Sequence, residues 1–163
     1  MVEPDSPAAA DPRCPECGGA VRGGQAGCQA LFEGLGAQAY SDLRLAAVHR
    51  LAVDTYCLQH IEPYCHSAKS YAAHLTGLCC GLEYGGQPTV YAAIQRWLNG
   101  PRRLEKPPVL WDRGPLTLVD VCAAGPGDAQ PQRVREWAST VWAAYATQHD
   151  LARAWIAAAL GRP

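Results

Sequence analysis

Apolar residues recur three and four positions apart over most of this chain, and the stripes they draw predict helices. A first short stretch over 28–40 puts Ala30, Leu31 and Leu35 on one side and is interrupted by Gly34 and Gly36. Ser41-Asp42 is an N-cap signal for a stronger helix over 42–60, with Leu45, Val48, Leu51, Ala52, Thr55 and Leu58 at helical spacing. Ile61-Glu62-Pro63 ends it. Ser67 or Ser70 caps a third helix running to about Glu83, striped by Tyr71, Leu75, Leu78 and Leu82 and stopped by Tyr84-Gly85-Gly86. Pro88 suits the first turn of a fourth helix that carries Val90, Ile94, Trp97 and Leu98 inward and closes at Asn99-Gly100-Pro101.

Regular patterning then lapses. Pro101, Pro107, Pro108 and Pro115 make 100–116 an irregular surface connection. Thr117 with Asp120 three residues later resembles a capping box before one or two helical turns. The β-branched run Leu118–Val121 leaves a strand as the alternative. After a loop over 125–131, a long helix over about 132–160 shows Val134, Trp137, Val141, Trp142, Tyr145, Leu151, Trp155 and Leu160 on one broad face. No repeat is present. The sum is an all-α bundle of four or five helices, its tryptophan stripe serving as core.

Residues 1–13 are acidic, small and proline-containing and read as a disordered leader, which leaves 14–163 as a single domain. Its length suffices for one sizeable core. The 14 Lys and Arg against 15 Asp and Glu give a net charge of -1 with no basic stripe, which argues against a nucleic-acid partner. No apolar run approaches the roughly 20 residues of a membrane span, and no secretory signal opens the chain. The expected location is the cytoplasm, where the 8 cysteines serve metal binding or burial rather than disulfides. Lys69 and Lys106 are the only lysines beside abundant Ala, Gly, Pro and Arg, a bias of GC-rich bacterial genomes that devalues Ala and Gly as signals.

The chemistry is concentrated in the first half. Cys14-Pro15-Glu16-Cys17-Gly18-Gly19 is a metal-binding knuckle: the turn aims two thiolates at one point, and glycine lets the backbone fold around the ion. Cys28 supplies a third thiolate. Pairing the first three helices by distance from their turns places Cys28, Asp54 and His74 in one layer. It favours His74 or His60 over His49 as the fourth ligand. The implied cofactor is zinc. Asp54 stands in an otherwise apolar stretch and needs a buried partner. His49, Asp54, His74 and His149 are candidates for a second, catalytic cluster in which the carboxylate orients a histidine, with Tyr56 and Gln59 lining a pocket. The vicinal Cys79-Cys80 reads as packing rather than redox chemistry, because adjacent helical residues point about 100° apart.

The run His49-Arg50-Leu51-Ala52-Val53-Asp54-Thr55-Tyr56-Cys57-Leu58-Gln59-His60 is the most specific in the chain. With the knuckle, Gly27-Cys28, Ser70 and His74-Leu75, and Trp137 with Trp142, it resembles the bacterial family called domain of unknown function 5946, over about 14–156. The resemblance implies that Cys14, Cys17, Cys28, His49, Asp54, Tyr56, Gln59, His60, His74 and His149 match the family pattern. Proline usually follows the Gln-His pair in that family, whereas this chain has Ile61. The resemblance brings no settled activity. The expected function is that of a small zinc-dependent or zinc-stabilised enzyme, a hydrolase, lyase or isomerase, acting on a small molecule through the His/Asp cluster. The alternative is a non-catalytic zinc-stabilised module that binds a protein partner.

Overall fold

Gly23 and Gly24, with φ of 87° and 58°, turn the chain sharply into its first helix. In the computed structural model, which describes residues 12–161, that helix is α1 (Gly24–Ala39) and starts before the periodicity predicts. Residues 1–11 of the expected leader lie outside the described residues; Arg13 pairs with Ala20 in an isolated antiparallel bridge.

The helix expected over 42–60 is two pieces, α2 (Leu43–Ala46) and α3 (His49–Gln59), and the segment expected to end it forms one further turn, α4 (Ile61–Tyr64). Asp42 caps α2 by accepting the Arg44 amide at 2.9 Å. The break at Ala47–Val48 is silent in the pattern because Leu45, Val48 and Leu51 are all buried, before, within and after it. α5 (Ala68–Glu83) opens on a reciprocal capping box in which Ser67 and Ser70 each accept the other's amide, at 3.0 and 3.1 Å. α6 (Pro88–Asn99) begins on Pro88 as expected. Thr117 and Asp120 form the predicted capping box, so the run after them is the helix α7 (Leu118–Ala123) and not a strand.

The long helix predicted over 132–160 is broken into α8 (Ala129–Ala144) and α9 (His149–Ala159) by a 3-10 turn over Ala146–Gln148. Tertiary hydrogen bonds hold the break. The Tyr145 hydroxyl donates to the Leu58 carbonyl at 2.7 Å, and Gln148 accepts from Tyr71 at 2.6 Å while donating to the Pro108 carbonyl at 3.1 Å. Among the described residues the chain is all-α, with no strand, and no helix is long and apolar enough to cross a membrane.

α3 and α5 form the centre, with α6, α8 and α9 packed around them. Their contact is close because α5 presents Gly77 and Gly81, one turn apart, to Asp54 and Leu51 of α3. A Cβ on Gly77 would overlap the Asp54 carboxylate, and one on Gly81 would lie 2.8 Å from Leu51. Trp137 and Tyr145 are wholly buried and Trp142 nearly so, while Trp155 packs on the rim of the same core.

The proline-rich connection is strapped down. Buried Gln59 donates to the carbonyls of Arg113 and Leu116 at 2.9 and 2.8 Å and accepts from the Trp137 indole at 2.9 Å. Lys106 donates to the Cys65 carbonyl at 2.6 Å. Arg113 reaches the Gln59 carbonyl at 2.6 Å and Glu16 of the knuckle at 2.9 Å, joining strap, core and N-terminus.

Candidate functional site

The knuckle is a tight turn closed by two backbone bonds, Cys14 N–H to Gly19 O and Gly18 N–H to Cys14 O, both 2.8 Å. Gly18 takes φ of 75°, which a side chain would resist. Gly19 seats the turn on α7: a Cβ there would come within 3.0 Å of Val119 and 3.1 Å of Thr117. Cys28 lies on α1 and is fully buried; Cys14 is buried and Cys17 half-buried.

The fourth donor comes from the end of α3. At His60 the helix stops, and the His60 amide takes the Cys57 carbonyl instead of continuing the ladder. The Tyr56 carbonyl, left free, lies 2.7 Å from His60 Nδ1. A carbonyl only accepts, so Nδ1 carries the hydrogen and Nε2 presents its lone pair. Nε2 stands 3.3 Å from Cys28 Sγ and 3.5 Å from Cys14 Sγ, and Cys17 Sγ lies 3.8 Å from Cys28 Sγ. All four donor atoms fall within 4.8 Å of one another. A tetrahedral ion with metal–sulfur bonds of about 2.3 Å and a metal–nitrogen bond of about 2.0 Å needs donor separations of about 3.8 and 3.5 Å. The group therefore fits a Cys3His metal site. Tyr56 walls it, its ring sandwiched between Phe32 (3.9 Å between centroids, 2° apart) and His60 (3.8 Å, 21°).

The charge balance points the same way. The hydrogen bond from Cys28, helped by His60, pushes the Cys17 thiol down to about 4 against the opposing effect of burial. Donating that bond, together with burial, pushes the Cys28 thiol up. Burial first and Cys17 second push Cys14 up. One thiolate is thus held by its neighbours, and a cation is what would let all three ionise together.

His74 is not in this group. Packing of α3 on α5 sets its Nδ1 2.9 Å from the carboxylate of Asp54, which is only 2% exposed and also accepts Arg50 Nε at 3.4 Å. The expected layer of Cys28, Asp54 and His74 is thereby corrected. Cys28 meets His60 at one end of α3, whereas Asp54 and His74 meet on the α3–α5 seam. Here Nδ1 donates to the carboxylate, and among the described residues His74 Nε2 has no hydrogen-bond partner. The pair opens on a shallow cleft of about 340 Å³ shared with His49, Arg50 and Gln95. His49 is exposed at the start of α3.

The other expected members lie elsewhere. His149 stacks on Trp142 at 3.9 Å and its Nε2 donates to the Trp142 carbonyl at 2.7 Å, at the junction of α8 and α9. Tyr56 belongs to the wall of the Cys3His group, and His149, held on Trp142, is not among the residues that line the Asp54 cleft. Gln59 is spent on the strap, and His66 is exposed on the loop before α5. Cys57, Cys65, Cys79 and Cys80 are separate buried thiols that burial pushes up. Sequence reasoning passed over Arg50 and Phe32. Arg50 sits four residues before Asp54, the spacing of facing helical neighbours, which is the signal that marks it.

Fold and site define a helical protein with a buried Cys3His candidate metal centre beside a carboxylate–histidine cleft. A family profile described as "Family of unknown function (DUF5946)" matches residues 12–156. The chain belongs to that family. No curated protein and no solved structure matches it.

Proposed function

We propose that the Cys3His group binds one zinc ion as a structural centre and that the chain is a small-molecule enzyme working at the Asp54–His74 cleft. The observation that supports the first half is the set of four protein donors, with His60 fixed in the metal-binding tautomer by the Tyr56 carbonyl. Soft thiolates and one imidazole suit zinc, and four protein ligands leave no open position for substrate. Zinc there supplies folding energy, joining the knuckle to α1 and to the end of α3.

Chemistry then needs another place. Asp54 is a buried carboxylate whose partners are His74 and Arg50, an arrangement that holds an imidazole in one orientation. His74 Nε2 would take a proton from a bound small molecule, and Asp54 would stabilise the imidazolium. Hydrolysis, elimination and isomerisation all use such a step. A second reading, a protein-binding module, draws on Tyr40 and Leu43, which are 96% and 88% exposed at the α1–α2 corner.

Two measurements test this. Metal analysis of the purified chain is expected to find one zinc, lost in Cys28→Ser and His60→Ala and kept in His74→Ala. Zinc lost with His74 instead would refute the assignment. Incubation with a cellular metabolite extract, followed by mass spectrometry, is expected to show a compound consumed by the wild type and untouched by His74→Ala. Equal consumption by both would sink the catalytic role.

A further inference from the structure

We infer that the cleft beside Asp54 recognises an oxyanion, a carboxylate or phosphate group of a small molecule, through the guanidinium fork of Arg50. The inference rests on the reading of Asp54–His74 as the reactive pair and adds the class of substrate.

Arg50 lies four residues before Asp54 on α3 and is held from two sides. Its Nε donates to Asp54 at 3.4 Å, and its guanidinium carbon stands 4.4 Å from the centre of the Tyr91 ring. Tyr91 is itself anchored, its hydroxyl donating to the Gly77 carbonyl at 3.4 Å. The contacts spend one guanidinium nitrogen and one face. Among the described residues neither terminal nitrogen has a hydrogen-bond partner, and the side chain is 54% exposed at the cleft. A fork with free terminal N–H groups matches the two oxygens of a carboxylate or phosphate. Because stacking and the Asp54 bond already restrict it, little rotamer freedom remains to be lost when an anion arrives.

The neighbourhood fits such a ligand. Asp54 is the one carboxylate lining the cleft, and its charge is turned inward to Arg50 and His74. The other polar groups there include His49 and Gln95, which can donate hydrogen bonds. His74 lines the same cleft, so an anion on Arg50 would carry its adjoining atoms toward the imidazole. Arg50 would therefore bind and position substrate, and His74 would meet the reacting proton.

The test is a titration of the zinc-loaded full chain with sodium acetate and, separately, sodium phosphate, against sodium chloride at matched ionic strength. The readout is the set of ring signals of the 5 histidines in carbon–proton correlation spectra. The expected result is a saturable shift of the His74 signals with acetate or phosphate and none with chloride. The stronger of the two names the ligand class. Arg50→Gln should weaken binding by about tenfold or more, as loss of a charge-assisted contact does. Arg50→Lys, which keeps the charge without the fork, should weaken it in the same direction, and Arg153→Gln should leave it unchanged. Unmoved signals from His60 certify that the variants are folded. Absence of a saturable His74 shift with either anion overturns the inference, as does a shift that survives Arg50→Gln. Asp54→Asn separates the two ideas: catalysis through His74 should fail there while the anion still binds. Consumption of metabolite unaltered by Asp54→Asn would remove the reactive pair and leave the anion site standing.

Discussion

Replacing Gln59 by Leu should loosen the strap and the metal centre together. The amide of Gln59 makes three hydrogen bonds inside the protein, donating to the carbonyls of Arg113 and Leu116 and accepting from Trp137 Nε1. Trp137 is completely buried, so its indole N–H would find no replacement partner. Leaving a buried polar group unsatisfied costs about 1–3 kcal/mol, which makes about 3–9 kcal/mol for three groups. The greater apolarity of leucine, of similar size, returns about 1–2 kcal/mol, and the two carbonyls regain some water as the strap lifts. A net loss of about 3–5 kcal/mol remains, a large share of the 5–15 kcal/mol typical of whole domains. At about 2–4 °C per kcal/mol for a chain of this size, the melting temperature should fall by about 10 °C. Circular dichroism melts at fixed excess zinc measure this, since bound metal shifts the transition by mass action. Zinc should also transfer faster to a chelator, because Arg113 bridges the Gln59 carbonyl to Glu16 in the knuckle. A fall of less than about 2 °C, with an unchanged transfer rate, would refute the claim that Gln59 ties strap and knuckle to the core.

Other outcomes follow from the same contacts. Gly77→Ala inserts a Cβ against the Asp54 carboxylate; it should cost about 1–3 kcal/mol of stability and shift the Nδ1 proton resonance of His74. An unmoved resonance and melting point would contradict the close α3–α5 seam. Arg153 beside Glu83 holds that carboxyl below the usual carboxylate range. With the folded-state value depressed, its stabilisation is present above the ordinary carboxylate range and is lost as pH falls through the depressed value. The melting difference between wild type and Glu83→Gln should therefore shrink on acidification, and a difference constant with pH would exclude this pair as its source. Tyr56→Leu removes the ring between Phe32 and His60 while sparing the backbone carbonyl that fixes the His60 tautomer. It should retain one zinc per chain but lose about 1–3 kcal/mol of stability in a thermal melt; loss of the metal would show that the wall, not the tautomer, holds the site.

Helix type was legible in this chain wherever a stripe and a terminator agreed. The Ser67 cap, one of the two serines the sequence offered, the Thr117–Asp120 box, Pro88 and the Tyr84–Gly86 stop are local chemistry, and the structure uses each of them. The knuckle was equally legible, because two thiols and two glycines within six residues specify their own turn. Continuity of helices was not. The apolar stripe runs unbroken through Val48 and Tyr145, yet the chain breaks at both, and at Tyr145 the cause is hydrogen bonds to Leu58, Tyr71 and Pro108, residues remote in sequence.

The same division governs the site. Sequence alone nominated three cysteines and left the fourth donor between His60 and His74, since spacing on separate helices does not measure distance across them. Tertiary structure separated them. The end of α3 turns His60 toward Cys14 and Cys28, and the glycine face of α5 lets Asp54 reach His74 on a different seam. Residue types and their local spacing determined which atoms can bind a metal or move a proton. Only the packing of α3 between α1 and α5 decided which of those atoms meet, because contact between helices depends on approach and crossing, and no periodicity encodes either.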